Sequence, residues 1–355
     1  MMDSPLVIRA GPRALAHLRE RGLSPNDVGT LVGASGGPKW LVLAAMDRVW
    51  ARWLVAGRSA PLHLLGSSIG TFRHACFAQA DPLGAFGRFE EAYVAQSYTG
   101  QPTTACVSRV SRDILDHLLG SDGARAIAKH PLLLSHVVTA RSRAAVATDR
   151  RRLLALGLGS AALANVLARR LTGNFFQRIV FHTGPACAFG FRDFATVALP
   201  LSENLVPGAI LASGSIPLVM EAVRMPPPAP PGLYRDGGIV DYHFDFRFER
   251  PPGLTLYPHF FERITPGWFD KALCWRRPAA GDLDDVILLA PSAAFVATLP
   301  GGKVPDRDDF KNLPTTERIA VWRTVLAATG RLADALEGLL ARGRLAEIAQ
   351  PFAPA

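Results

Sequence analysis

The sequence predicts an α/β protein built on a central, mostly parallel or mixed sheet, and two observations carry that expectation. Short β-rich apolar runs at 28–32, 62–65, 132–139, 176–181, 195–199, 254–257 and 286–289 alternate with stretches of helical periodicity. Parallel pairing needs long crossover connections, and helices between strands supply them. With 355 residues, 49% of them hydrophobic, the chain can also bury a sizeable core.

Taken in order, residues 5–22 read as a strand and an amphipathic helix. After the 28–32 strand, residues 40–53 carry Leu41, Ala44, Ala45 and Val49 at helical spacing. The 62–65 strand runs into a glycine-rich turn, and helical patterns follow at 86–96 and 111–119. The proline-rich stretch 225–232 predicts an extended connector. Two helices close the chain, 316–328 and 331–342, broken at Gly330, within a C-terminal helical segment of about 315–347. No repeat is visible, so the expectation is one catalytic unit over 1–355 with a helical cap insertion at about 144–174.

The formal net charge is +9, almost all of the positive residues being arginine. Between 141 and 178 stand Arg141, Arg143, Arg150, Arg151, Arg152, Arg169, Arg170 and Arg178 against the single acid Asp149. Excess positive charge points to an anionic partner. Nucleic acid is not expected, because no aromatic residues interleave the arginines and no nucleic-acid module is present. Cys76, Cys106, Cys187 and Cys274 are scattered, and we expect reduced, mostly buried thiols. The first residues lack an apolar signal region, and no run reaches about 18 apolar residues. The expected location is cytoplasmic, peripheral on membrane.

Three short segments carry chemistry. Gly33-Ala-Ser-Gly-Gly-Pro-Lys-Trp40 joins a strand to a helix, and such a loop aims backbone N–H groups at an anion. It departs from a nucleotide-binding P-loop at Pro38 and Trp40, where that loop needs glycine and a hydroxyl. Gly66-Ser-Ser-Ile-Gly70 is a G-x-S-x-G pattern between a strand and a helix. There a sharp turn holds Ser68 strained and exposed to substrate. Asp236-Gly237-Gly238 is a turn former with a carboxylate.

In this order and combination the three segments resemble the patatin-like phospholipase family, whose motifs read G-G-G-x-[RK]-G, G-x-S-x-G and D-G-[GA]. Ser35-Gly36-Gly37-Pro38-Lys39-Trp40 keeps the two central glycines and the basic residue, and departs at Ser35 and Trp40. Residues 209–217 are similar to the family's segment ahead of the Asp turn. The resemblance covers roughly 30–240. It implies a three-layer α/β/α domain and a serine acyl hydrolase acting on lipid esters through an acyl-enzyme. Ser68 is then the nucleophile, Asp236 the base, and the Gly36 and Gly37 amides the oxyanion hole, with Gly66, Gly70, Lys39, Gly237 and Gly238 in support. It implies neither cofactor nor metal.

Two other functions stay open. A Ser-His-Asp triad would need a histidine after the acid, and His243 and His259 satisfy the order. A non-catalytic protein of the same fold could bind a lipid or polymer surface. No H-e-x-x-h-type or close Cys/His spacing suggests a metal, and Asp306, Asp308 and Asp309 read as a solvated turn. The apolar stretch 153–168 is flanked by Arg150, Arg151, Arg152, Arg169 and Arg170. It reads either as a core helix or hairpin bent at Gly157 and Gly159, or as an interfacial cap whose arginines meet anionic head groups.

Overall fold

The computed structural model describes residues 4–55 and 57–352. Its centre is a 10-stranded mixed sheet within a three-layer α/β/α arrangement. The strands are β1 (Leu6–Ala10), β2 (Val28–Gly33), β3 (Leu62–Ser67), β4 (Leu133–Ser142), β5 (Phe176–His182), β6 (Gly190–Phe191), β7 (Thr196–Pro200), β8 (Tyr234–Asp236), β9 (Phe248–Glu249), β10 (Leu254–Pro258), β11 (Val286–Pro291) and β12 (Ala349–Pro351). Across the sheet they run β12-β1-β11-β10-β2-β3-β4-β5-β7, with β8 on β4, while β6 and β9 form a separate pair. The block β11-β10-β2-β3-β4 is parallel throughout. β2, β10 and β11 are buried along their whole length, as expected of strands covered on both faces.

One register positions everything that follows. β3 runs parallel to β4 and ends with Ser67 opposite Val138. β8 runs antiparallel to β4 and ends with Asp236 opposite Thr139, the next residue along. The two strands therefore meet end to end beside β4. The turn leaving β3 and the turn leaving β8 face each other across one peptide unit.

Helices α1 (Pro12–Arg21), α2 (Ala44–Val55), α3 (Ile69–Phe77), α4 (Pro82–Ala95), α5 (Thr104–Leu119), α6 (Gly123–Lys129), α7 (Arg151–Leu167) and α8 (Val206–Ser213) come next in chain order. α3 is buried at every residue and packs on β2, β3 and β4. Its Arg73 reaches Asp47 of α2 through two hydrogen bonds, 2.7 and 2.5 Å, with both side chains sealed from solvent. Breaking such a pair by removing one partner typically costs about 3–5 kcal/mol. Trp40 is fully buried against the Phe89 ring, 4.4 Å between centroids, which accounts for a bulky residue at the end of the first glycine loop.

Several expectations need correction. Residues 37–43 form a 3₁₀ turn, and the α-helix starts only at Ala44. The 225–232 stretch is not extended: the Ala229 amide bonds back to the Pro226 carbonyl in a turn. Only Cys76 is buried, Cys106 and Cys187 are half-buried and Cys274 is exposed, all four as free thiols. Asp309 is buried and accepts from the Trp322 indole at 2.9 Å and from Lys303 at 2.7 Å, so it is a structural anchor.

α7 is neither a core helix nor a hairpin. It is one helix whose inner face holds Leu154, Gly157, Leu158, Ala161 and Asn165, while Leu156 and Leu167 are 71% and 74% exposed. Gly157 does not bend it: a Cβ there would fall 2.6 Å from the Ala145 carbonyl oxygen, so glycine lets the helix sit against that turn. Arg169 does not face outward with its neighbours. Its side chain is 9% exposed and lies within 4 Å of carboxylates from Asp193, Asp241, Asp245 and Asp270. Arg178, on β5, is likewise buried against Asp241 and Asp193. No helix among the described residues is long and apolar enough to cross a membrane.

Candidate active site

Ser68 follows β3 with φ 52° and ψ −129°, a conformation a non-glycine residue holds at a cost of about 1–3 kcal/mol. The surroundings enforce it. The Ser68 amide donates to Ser213 Oγ at 2.9 Å, and Ser213 Oγ donates in turn to the Val138 carbonyl at 2.6 Å. Gly70 must be glycine, because a Cβ there would lie 2.0 Å from the Gly33 carbonyl oxygen. The start of α3 thus presses directly on the end of β2.

Asp236 closes β8. Its amide donates to the Ser215 carbonyl at 2.9 Å, and its Oδ1 accepts from the Gly238 amide at 2.7 Å. Oδ2 accepts from Ser68 Oγ at 2.7 Å. Gly237, between them, occupies the gap where β3 and β8 meet: a Cβ would fall 2.1 Å from the Val138 carbonyl oxygen. Burial pushes the Asp236 carboxyl above its ordinary value, against the opposing pull of Arg307, the Ser68 and Gly238 hydrogen bonds and Lys271. A carboxylate so desolvated is a stronger base toward a hydroxyl than one in water.

The first glycine loop lies beside this pair. Ser35 Oγ and Ser67 Oγ are 2.8 Å apart, and Ser67 Oγ donates to the Asp241 carbonyl at 2.6 Å. The serine at 35 is thus a strut tying the loop to the end of β3 and to the segment after Asp236. Among the described residues the amides of Gly36 and Gly37 serve no turn or cap hydrogen bond; Gly36 is buried and Gly37 half-buried. The Ser68 amide is already committed to Ser213. Lys39, from the same loop, is half-buried, and its ammonium has no carboxylate within ion-pair distance among the described residues; burial lowers its proton affinity. Gly66 and Gly238 line the same turns, close to His74 and to Ser35 respectively.

No histidine bonds to Ser68 or Asp236 among the described residues. His243 Nδ1 accepts from the Thr265 amide, and its ring packs on His259 at 4.3 Å. Burial lowers both, His259 to about 3, so they are neutral core imidazoles.

Sequence reasoning missed two cations. Arg307 lies over Gly37, within 3.2 Å of where a Cβ would be, and Lys271 sits 4.2 Å above the Tyr242 ring. Neither is paired with a carboxylate among the described residues, and both act electrostatically on Asp236. Lys271 is pushed down to about 8 by burial of its ammonium and by Arg307 and Lys39. Arg307, Tyr242, Trp268, Ile216 and Pro217 enclose a recess over Asp236 of about 10 Å³, room for roughly one water.

Fold and site together define an α/β/α protein with a strained serine against a buried carboxylate. Comparisons with known proteins bear on the chain as a whole. Among solved structures it is similar to human GIVD cytosolic phospholipase A2, with TM-score 0.42, 14% identity, and coverage of 94% of this chain and 62% of that one. The same enzyme in complex with methyl gamma-linolenyl fluorophosphonate matches at TM-score 0.35 and 14% identity over 93% and 62% of the two chains. The chain therefore spans under two thirds of the length of these structures. No protein-family model matches it, and neither does any curated protein.

Proposed function

We propose that the protein is a serine acyl hydrolase that cleaves carboxylic esters of lipids through a Ser68–Asp236 dyad. The observation that carries this reading is the 2.7 Å hydrogen bond from Ser68 Oγ, on a strained turn, to a buried carboxylate. Asp236 takes the Ser68 proton as Oγ attacks the ester carbonyl. The Gly36 and Gly37 amides receive the negative charge that develops on the carbonyl oxygen. Collapse of the tetrahedral adduct expels the alcohol, which leaves with the proton held by Asp236. A water then gives its proton to Asp236 and attacks the acyl-enzyme, and Ser68 recovers its proton as the fatty acid departs.

The surface around α7 supports a lipid substrate met at an interface. Leu153, Leu156, Leu163, Val166 and Leu167 are exposed on the helix, and Trp275 is exposed beside Arg276, which donates to the Val166 carbonyl. Arg150, Arg151, Arg152 and Arg170 are exposed at its two ends. Apolar side chains flanked by arginines match the chemistry of an anionic bilayer surface. Arg307 at the recess, with Lys271 over the neighbouring Tyr242 ring, further favours an ester bearing negative charge near the scissile bond.

A fluorophosphonate probe with peptide mapping tests the proposal: adduct on Ser68, and loss of esterase turnover by roughly 10⁴-fold or more in S68A with the fold retained, are expected. Residual turnover within tenfold of the parent would overturn the dyad. Labelling elsewhere would do the same.

A further inference from the structure

A sizeable cavity lies away from Ser68. It holds about 610 Å³ and lies between α1, the segment after β10, the segment before β11 and the end of β12. It shares no lining residue with the recess over Asp236. That volume falls within the range of small-molecule sites, about 300–1,000 Å³.

Its chemistry is divided. Leu15, Ile264, Leu283 and Phe352 make an apolar wall, the first three of them buried in the core's outer layer. Arg19, Arg263 and Arg277 stand around it, exposed, and none has a carboxylate within ion-pair distance among the described residues. The one acid present, Glu262, is already held by Arg9 at 2.7 Å. An apolar chamber with three uncommitted guanidinium groups at its rim complements a molecule with one apolar chain and one anionic end. Guanidinium forks match the planar two-oxygen geometry of a carboxylate.

We infer that this cavity is a binding site for a long-chain carboxylate, with the chain along Leu15, Ile264, Leu283 and Phe352 and the head group among Arg19, Arg263 and Arg277. The site is separate from the proposed reaction centre, and it does not depend on that centre turning over. Filling a preformed apolar cavity requires little reorganisation, so affinity should follow chain length until the cavity is full. Each two further methylenes tighten binding by roughly tenfold.

Calorimetric titration of the full chain, with Ser68 first blocked by fluorophosphonate where that probe reacts, separates this site from the reaction centre. Decanoate, laurate and myristate should bind one per chain with rising affinity, and dodecanol at least tenfold more weakly than laurate. R19Q/R263Q/R277Q should lose at least tenfold in laurate affinity and leave dodecanol unchanged. Ala16 is exposed at the cavity edge, so A16W should obstruct the cavity without disturbing the core and abolish both. Laurate binding unchanged in A16W would overturn the inference. So would dodecanol binding as tightly as laurate, or dodecyl phosphate binding more tightly than laurate, the latter assigning the rim to phosphate. If A16W is unfolded by circular dichroism, A16F takes its place, with the same outcomes decisive.

Discussion

Asp236 is held where its charge is least welcome, and this has opposite consequences for chemistry and for stability. Its proton affinity in the folded chain is raised, so ionisation weakens the native state as pH climbs through the carboxylate range. The stabilising contribution of the protonated form is complete below the unfolded-state value and is lost above the folded one. D236N should therefore melt at a higher temperature than the parent at neutral pH, with the difference vanishing in acid. Turnover should fall by roughly 10⁴-fold at the same time. Thermal unfolding at several pH values beside an esterase assay checks both; a D236N variant that melts lower at pH 7 would contradict the burial argument. The dyad requires ionised Asp236, so the acid limb of the parent's rate profile should lie above the ordinary carboxylate range. Lys271 governs the alkaline side, since its charge is lost as pH rises through about 8. For an anionic ester KM should climb there, and for a neutral ester it should stay flat.

At the scale of single elements, α7 and its flanks separate two kinds of arginine that look identical in the sequence. Arg150, Arg151, Arg152 and Arg170 face solvent, while Arg169 donates to the Val240 carbonyl at 2.6 Å and lies among four carboxylates. Asn165 also donates to Asp270 at 2.6 Å, so the helix is fastened to the turn that follows β10. Each exposed arginine near an anionic membrane contributes about 1 kcal/mol, screened beyond a Debye length of about 8 Å. Converting the four exposed arginines to Gln should sharply weaken co-sedimentation with anionic vesicles and spare hydrolysis of a soluble ester. R169Q should do the reverse, lowering stability by about 3–5 kcal/mol, the cost of leaving buried carboxylates unpaired. Vesicle sedimentation and denaturant melts of the two variants decide it. Equal vesicle binding by the four-Gln variant and the parent would remove the membrane reading of α7.

At the scale of the whole molecule the recess over Asp236 is narrow, and Arg307 lines it from a segment well over two hundred residues after Ser68. An ester needs far more than about 10 Å³, so the side chains above the dyad must part for substrate. R307A should raise KM for an anionic ester several-fold while kcat on a small neutral ester is kept or increased. Steady-state kinetics on the two esters measure this, and an equal loss on both would place Arg307 in the fold's support instead of at the substrate.

The sequence by itself determined the α/β class, the order of the main strands along the chain, and Ser68 on a strand-to-helix turn, because those features are local; Asp236 as its partner was implied by the family resemblance of the three segments. Apolar runs, glycines at sharp turns and a serine between strand and helix each leave a mark within a few residues. It determined less well the three-residue strands β8 and β12, which have no room for a periodic pattern. Only the tertiary structure decided that β3 and β8 end opposite Val138 and Thr139, so that Ser68 and Asp236, far apart in the chain, are joined by a hydrogen bond. It alone chose Ser213 as the partner of the Ser68 amide, set Arg307 at the recess and Lys271 over Tyr242, and turned Arg169 inward while its neighbour faces water. Register and burial are sums over contacts between distant segments, and charge in a side chain does not record whether a carboxylate or solvent will surround it.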